Sequence, residues 1–525
     1  MDNKTLIILI LWSMQAVKQT LIWAYWLQVK EYRLDRFKVL LDGKEGLANL
    51  EIKAIIFKFA LLFVAIFSGI DWPAILLFIW LNIKFFKELA TKTLRKPVLT
   101  LRMTEILGTS ALGLLFTLWL GTKSGILASR LVLGELLLII LPFIALTWTT
   151  PLVRRSKKTI IKLAQSRLTR VKPIVIGITG SYGKSTTKKF TSLVLSSKYK
   201  TEKTEKNLNT DWGIARKAAA LSPETEVFVV EMGAYKKGEI KSIADVVKPQ
   251  IGIITGIEPQ HLSLFGSLEN IKKAKYELIE SLPENGVAIF NVANPGGQEL
   301  AQLAKDQGIK TRTYALNSEI EADLKARIKK VTTESVTFRL RSQGKEMEVT
   351  APIKGKHFVE NLLGAILAAK ELKVDWEKIR EAIKDIDPGL TLSVYKTKGG
   401  ATIIDDSYNS TPIAFSSALD YLSLFEGKTK ILITSGIIEL GEKSFEIHKV
   451  AASQAANVAD EIILTNTDLE KSFTDGLGDK AKNLKIIKGE ELAEKIKYYL
   501  WQDCVVLIEG RMPAKVMQEL EKKRI

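Results

Sequence analysis

The sequence predicts a multi-domain chain: an N-terminal helical membrane domain of about five spans, followed by two α/β domains. Three observations predict this. The 525 residues exceed what a single hydrophobic core organises. Seven of the ten tryptophans (Trp12, Trp23, Trp26, Trp72, Trp80, Trp119, Trp148) precede residue 150, among runs such as 131-LVLGELLLIILPFIALTW-148. From residue 173 the pattern changes to short β-branched runs alternating with helical stretches, as in 173-PIVIGITG-180 and 401-ATIIDD-406. The expected boundaries are 1–150 for the membrane domain, 151–171 for a basic linker, 172–387 for a central domain and 388–525 for a C-terminal one.

A helix needs roughly 17–25 mostly apolar residues to cross a bilayer. Residues 54–70, 72–86, 105–121 and 131–149 meet that need, whereas 5–27 is interrupted by Gln15, Lys18 and Gln19 and also reads as an interfacial helix. A cleaved signal peptide is rejected for 1–27, because no small-residue cleavage site follows it. The segments 30-KEYRLDRFK-38, 84-KFFKELATKTLRK-96 and 154-RRSKK-158 are basic, and the turns at Asp71–Trp72 and 121-GTKSG-125 are nearly neutral. Positive charge stays inside, so the chain reads as a multi-pass protein of the cytoplasmic membrane with everything after residue 150 in the cytoplasm. Lys53, Lys58 and Glu105 are expected to snorkel to an interface. Glu135 is the intramembrane charge singled out for interest.

Of the formal charge of +18, residues 1–160 carry +11. The basicity is juxtamembrane, and no basic stripe interleaved with aromatics follows, which argues against nucleic acid as a partner. The single cysteine, Cys504, excludes a disulfide framework and a cysteine metal cluster, and with three histidines a histidine-rich metal site is also disfavoured. Cys504 lies in the apolar run 504-CVVLIEG-510 and reads as a buried structural thiol.

The chemistry begins where 173-PIVIGITG-180 leads into 181-SYGKSTTKKFTSLVL-195, a strand, a glycine loop and a helix. Gly180 and Gly183 let backbone amides approach a phosphate. Lys184 brings positive charge to the β- and γ-phosphates, and the Ser185 hydroxyl suits Mg²⁺ at the helix start. Against the strict phosphate-loop pattern, Ile178 replaces the first glycine. Glu231 follows the apolar run 227-VFVV-230, at the strand edge where α/β proteins bind ligands. His261 lies between the run 251-IGIITGI-257 and a helix. Lys275 has Lys272 and Lys273 as neighbours, so a solvated-helix reading of it stays open.

These stretches resemble the Mur ligase family, whose phosphate loop is spelled G-x-T-G-S-x-G-K-[ST]. The resemblance continues through 207-NLNTDWG-213, 228-FVVEMGAYKKGEI-240, 261-HLSLFGSLENIKKAKYEL-278, 283-PENGVAIFN-291 and 355-GKHFVEN-361. The segments 402-TIIDDSYNSTP-412 and 436-GIIELGEKSFEIH-448 are most similar to the MurF branch, which joins D-alanyl-D-alanine to a muramoyl tripeptide. Coverage is about residues 172–525. The resemblance implies a phosphate-loop central domain and a Rossmann-like C-terminal domain. It implies ATP held by Gly180, Ser181, Gly183, Lys184, Ser185, Thr186, Asn361, Asp405, Asp406 and Asn409, with His448 also lining the cleft. Two Mg²⁺ ions are implied at Ser185, Glu231, His261 and Lys275, the last as a carbamate, and Lys184, Lys275 and His261 are the implied catalytic residues.

The implied function is an ADP-forming amide ligase of peptidoglycan precursor synthesis, working through an acyl phosphate. Its substrates would be a muramoyl peptide, UDP- or lipid-linked, and D-Ala-D-Ala, with other wall-synthesis enzymes as neighbours. Two alternatives stand beside it. One is another Mur-type amino-acid ligase on a lipid-linked or non-murein acceptor, and the other is a non-catalytic, nucleotide-responsive membrane scaffold. The joint presence of Lys184, Ser185, Glu231, His261 and Lys275 favours catalysis, because a scaffold has no need of metal ligands. Four departures from the family pattern matter: Leu390 replaces an arginine after Pro-Gly, Phe358 replaces an asparagine, Glu509 replaces the lysine of K-G-S-R with Arg511 shifted by one, and membrane segments stand where a uridine-diphosphate-binding domain is expected.

Overall fold

The computed structural model describes residues 3–42, 46–47, 50–68, 72–91, 94–121, 127–205, 208–259, 262–342, 344–407, 411–438 and 440–524. It divides into two compact units, Met1–Thr159 and Ile160–Ile525.

The first unit is helical: α1 (Asn3–Val29), α2 (Leu34–Asp42), α3 (Ile52–Ser68), α4 (Trp72–Ala90), α5 (Leu101–Gly121) and the greater part of α6 (Leu127–Val171). Among the described residues, three stretches are long and apolar enough to cross a membrane: Leu6–Val29, Leu101–Trp119 and Leu131–Val171. The segment doubted in the sequence, 5–27, is thus one of the strongest. By contrast α3 has only 17 residues, and α4 carries Lys84, Lys87 and Glu88 near its end. The polarity of this unit is inverted relative to a water-soluble bundle. Phe57, Phe67, Trp72, Trp80 and Leu115 are exposed, while Gln15, Lys18, Lys58, Asn82 and Glu135 are buried.

Lys58 does not snorkel. It is 2% exposed, and its Nζ lies 2.6 Å from Glu135 Oε2, itself a residue only 1% exposed. Trp12 Nε1 donates to the other Glu135 oxygen at 3.1 Å. In an apolar surrounding each charge is tolerable because the other is there, which outweighs the reach of a lysine stem toward an interface. Gln15 donates to Asn82 Oδ1 at 2.9 Å, and Lys18 bonds Glu51 and Glu88. The interruptions Gln15 and Lys18 in α1 therefore face inward to polar partners, which is why α1 remains a long helix despite them.

Residues 151–171, expected as a linker, continue α6 without a break. The reason is amphipathic spacing: Ile160, Ile161, Ala164 and Leu168 fall on one face and pack in the core of the second unit.

The second unit is built on two sheets. The larger has nine strands in the order β2-β3-β1-β4-β5-β6-β7-β8-β9, with β1 (Ile174–Thr179), β2 (Thr201–Lys203), β3 (Val227–Glu231), β4 (Ile251–Ile254), β5 (Val287–Asn291), β6 (Lys310–Leu316), β7 (Leu324–Val331), β8 (Val336–Ser342) and β9 (Lys345–Ala351). Pairing is parallel from β2 through β7 and antiparallel for β7–β8–β9. Helices cover both faces of the parallel part, so its strands read as unbroken apolar runs. One face packs Ile176, Ile178, Val229 and Ile253 with Phe190 and Val194 of α7 (Lys184–Ser196). The other packs Val175, Phe228, Val230 and Ile254 with Ile271 and Leu278 of the helix Leu268–Glu280.

The smaller sheet has the order β10-β11-β15-β12-β13-β14: β10 (Ser393–Lys396), β11 (Thr402–Asp406), β12 (Thr429–Thr434), β13 (Glu461–Leu464), β14 (Leu484–Ile486) and β15 (Cys504–Glu509). Five of these strands stand where the sequence places them. The sixth, β10, is an antiparallel edge strand on β11. In both sheets a strand remote in sequence sits between neighbours, which opens a crevice at the carboxyl ends.

Candidate functional site

The glycine loop joins β1 to α7 at the centre of the larger sheet. Its glycines are sterically required: a Cβ on Gly180 would lie 2.1 Å from Thr255 Oγ1, and one on Gly183 would lie 2.2 Å from Asn361 Oδ1. Gly183 also has φ of 73° and caps α7 with no side-chain hydrogen bond, which leaves the first amides of the helix for an anion. Lys184 folds back over the loop, donating to the Gly180 carbonyl at 2.7 Å and the Ser181 carbonyl at 3.2 Å. Burial lowers its pKa, and the charge of Glu231 acts in the opposite direction.

Ser181 is tied into the scaffold, since its Oγ donates to the Glu258 carbonyl at 2.9 Å and accepts from the Glu258 amide at 3.0 Å. Thr186 is half-buried in the first turn of α7. The next residue, Thr187, donates to Asn361 Oδ1 at 3.3 Å, so Asn361 braces the loop from the helix Phe358–Glu371. Phe358 itself is a core residue there, with its ring 3.9 Å from that of His357.

Glu231 ends β3 almost fully buried. Ser185 Oγ donates to its Oε2 at 2.9 Å, Lys188 Nζ lies 2.9 Å from the same oxygen, and Asn209 Nδ2 donates to Oε1 at 3.2 Å. Burial alone would raise this carboxyl, but Lys188, then Lys184 and Ser185, hold it below the usual range and ionised. Lys188 was not singled out in the sequence, although it lies one turn beyond Lys184 on the same helix face. A hydroxyl beside an ionised carboxylate at a phosphate loop is a donor set for a hard cation that completes its shell with phosphate oxygens and water. Among the described residues no group of three or more His, Cys, Asp or Glu could hold a metal by itself.

Lys275 is 3% exposed on the helix Leu268–Glu280, with Nζ 5.8 Å from the Phe265 ring centroid. Burial, with the charge of Lys184, brings its pKa down to about 7. His261 and Asn409 lie outside the described residues.

The remaining candidates sit on the smaller sheet. Asp405 Oδ1 accepts the Ser407 amide at 3.0 Å, forming a turn. Asp406 is the register partner of Glu509 on β15. His448 is buried with both ring nitrogens engaged: Nε2 accepts the Ile437 amide at 2.8 Å, and Nδ1 pairs with the Ser444 carbonyl at 2.7 Å. It braces the loop after β12 and does not open toward a ligand. At Leu390, where an arginine was expected, Lys189 of α7 reaches the carbonyl at 3.3 Å, so a cation stands beside the connection between the sheets. Cys504 is buried, and burial pushes its thiol up to about 11, as a structural thiol requires.

Comparison with known proteins matches residues 178–369 to the Mur ligase middle domain and residues 392–512 to the Mur ligase, glutamate ligase domain. The chain is 32% identical over 290 residues to the UDP-N-acetylmuramoyl-tripeptide–D-alanyl-D-alanine ligase of Bacillus subtilis (strain 168), an alignment covering 55% of this chain and 61% of that protein. It is 27% identical over 369 residues to the ligase of the same name from Rickettsia prowazekii (strain Madrid E), covering 70% and 81%. The structure of MurF from Acinetobacter baumannii superposes with a TM-score of 0.61 at 26% identity, covering 70% of this chain and 80% of that one.

Proposed function

This chain belongs to the Mur ligase family, and from that premise we propose that it is an ATP-dependent, ADP-forming amide ligase of peptidoglycan precursor synthesis. The observation that carries the proposal is the cluster of Lys184, Ser185 and Glu231 around a glycine loop with open helix amides. An acceptor carboxylate attacks the γ-phosphate of ATP, forming an acyl phosphate and ADP. An amine then forms the C–N bond as phosphate departs. The loop amides and Lys184 orient and offset the phosphate charge, and positioning of this kind supplies most of the catalysis in phosphoryl transfer. Mg²⁺ held by Ser185 and Glu231 would add positive charge at the phosphate oxygens. A depressed pKa leaves much of Lys275 as the free amine, the form that adds carbon dioxide, which supports a carbamate there as ligand for a second ion.

The named relatives support D-Ala-D-Ala as the amine and a muramoyl tripeptide as the acceptor. The N-terminal unit is proposed to lie in the cytoplasmic membrane as a multi-pass bundle of five spans with the ligase domains in the cytoplasm. Outward-facing aromatics and the inward Lys58–Glu135 pair support this, since intramembrane charges face a bundle interior. Such anchoring raises the effective concentration of an acceptor held in the same leaflet, and of wall enzymes there. The test is ADP release by purified protein with D-Ala-D-Ala and either UDP-muramoyl tripeptide or a lipid-linked muramoyl peptide. Turnover on either supports the ligase and identifies the carrier. ATP binding without ADP release on both leaves the scaffold reading.

A further inference from the structure

Glu509 is 0% exposed, and among the described residues its carboxyl oxygens meet no hydrogen-bond partner other than the Asp406 carboxyl. It closes β15, flanked in register by Asp406 of β11 and Thr434 of β12. The Thr434 hydroxyl is committed to the Gly436 amide at 2.9 Å. Beside it the Ser435 hydroxyl is also buried without a partner, and a Cβ on Gly510 would come within 2.7 Å of that oxygen. An unpaired carboxylate in such a place is unstable, so Glu509 holds a proton. The neighbour available to accept it is Asp406, which stands partly exposed at the mouth of the crevice. The buried acids Glu135 and Glu231 each take a lysine, and among the described residues Glu509 has no such cation.

We propose that Asp406 and Glu509 form one proton-sharing carboxyl pair that receives the ammonium of the incoming amine and removes the proton it must lose before attack. This deepens the ligase reading and rests on it. Asp406, which the resemblance gives to ATP, would here be the catalytic residue instead, and Glu509 a positioning residue that donates a hydrogen bond to it. The pair carries one proton and one negative charge. It takes one proton from the ammonium and becomes neutral, and the free amine forms the C–N bond as the C–O bond to phosphate breaks. The second amine proton leaves on the departing phosphate, so charge and atoms balance.

Burial pushes Asp406 up to about 7, a value matched to an α-ammonium. Burial, with the charge of Asp406, raises Glu509 further. Asp405 adds like charge from the same strand. Burial lowers the pKa of His448. Arg511 is exposed after the turn at Gly510. On the helix Pro412–Ser423, Asp420 pairs with Lys356 and Tyr421 donates to the Thr333 carbonyl.

The experiment uses the full chain with ATP, UDP-muramoyl tripeptide and D-Ala-D-Ala, measuring acyl-phosphate formation without amine and the pH profile of amine-dependent kcat/KM. The wild type should show an acidic limb near pH 7. Asp406→Asn should lose that limb and slow the amine step at least 100-fold. Glu509→Leu should move the limb up by about one pH unit, because the donated hydrogen bond is gone. If Glu509→Leu does not fold, Asp406→Asn alone decides. A limb that survives Asp406→Asn, or is unmoved in folded Glu509→Leu, overturns the pair while acyl-phosphate formation leaves the ligase standing. Absence of acyl phosphate from the wild type removes the ligase reading itself.

Discussion

Glu231 and Glu509 close two strands that are written almost alike, 227-VFVVE-231 and 504-CVVLIE-509, one in each α/β domain. Both are buried at the carboxyl edge of a sheet. Glu231 meets Lys188, Ser185 and Asn209 and stays ionised. Glu509 faces Asp406 in register, and burial with that neighbour's charge raises its pKa well above the carboxylate range. The difference shows that a strand-end carboxylate acquires its chemistry from what other segments bring to it. Glu231 is held as an anion by Lys188, and Glu509 stands against a second carboxyl with no cation among the described residues.

The largest effect that tests this contrast is expected at Lys184. Lys184→Ala should lower ADP release by at least about 100-fold while thermal unfolding stays within a few degrees, because the side chain acts on phosphate charge. Near-normal ADP release would remove Glu231's surroundings from the phosphate site.

Next in size is the charge balance itself. Lys188→Met leaves Glu231 buried with less compensation and should cost roughly 3 kcal/mol in stability, with Glu231→Gln in the same chain restoring most of it. If Lys188→Met alone leaves the thermal midpoint unchanged, the ion pair is not what holds Glu231. The helical unit offers the same test, since Lys58→Met should destabilise through the uncompensated Glu135.

The acid pair predicts the opposite sign. Asp406 and Glu509 have folded-state pKa values above their unfolded ones, so the folded chain binds more protons. Their contribution to stability is present below the unfolded carboxylate range, near pH 4, and declines as pH rises through about 7, where Asp406 titrates. Asp406→Asn should flatten this decline, as read from thermal midpoints between pH 5 and 8. An unchanged slope speaks against a raised pKa at that residue. Glu231, whose pKa is lowered, contributes in the other direction and loses its stabilisation on acidification.

The smallest effect belongs to Cys504. Its buried, poorly ionised thiol should react slowly with thiol reagents, and Cys504→Val should change ADP release by less than twofold. Rapid alkylation with loss of activity would show that the strand carrying Glu509 opens.

Much of the second unit was legible in the sequence because β-branched runs such as 430-KILITSG-436 and glycine turns are local signals. The meander β7–β9 was equally written, since Val336, Phe338 and Leu340 alternate inward, but without a motif it went unread. Residues 151–171 look like a linker by their charge and form a helix because of their apolar spacing. The site divides in the same way. Gly180, Gly183, Lys184 and Ser185 are contiguous, and Glu231 follows an apolar run. Lys188 looks like an ordinary helix lysine until β3 places Glu231 against it. Lys58 is hard to place from sequence for the same reason, because its partner Glu135 is 77 residues away.

The cluster around the glycine loop is proposed to drive amide formation. Its most direct test is the ratio of ADP to ligated product, followed by mass spectrometry, for the full-length protein given ATP, Mg²⁺, a muramoyl tripeptide acceptor and D-Ala-D-Ala. One ADP per amide is expected, with neither formed by Lys184→Ala. ADP release without any ligated product, or product formed without ADP, would contradict it.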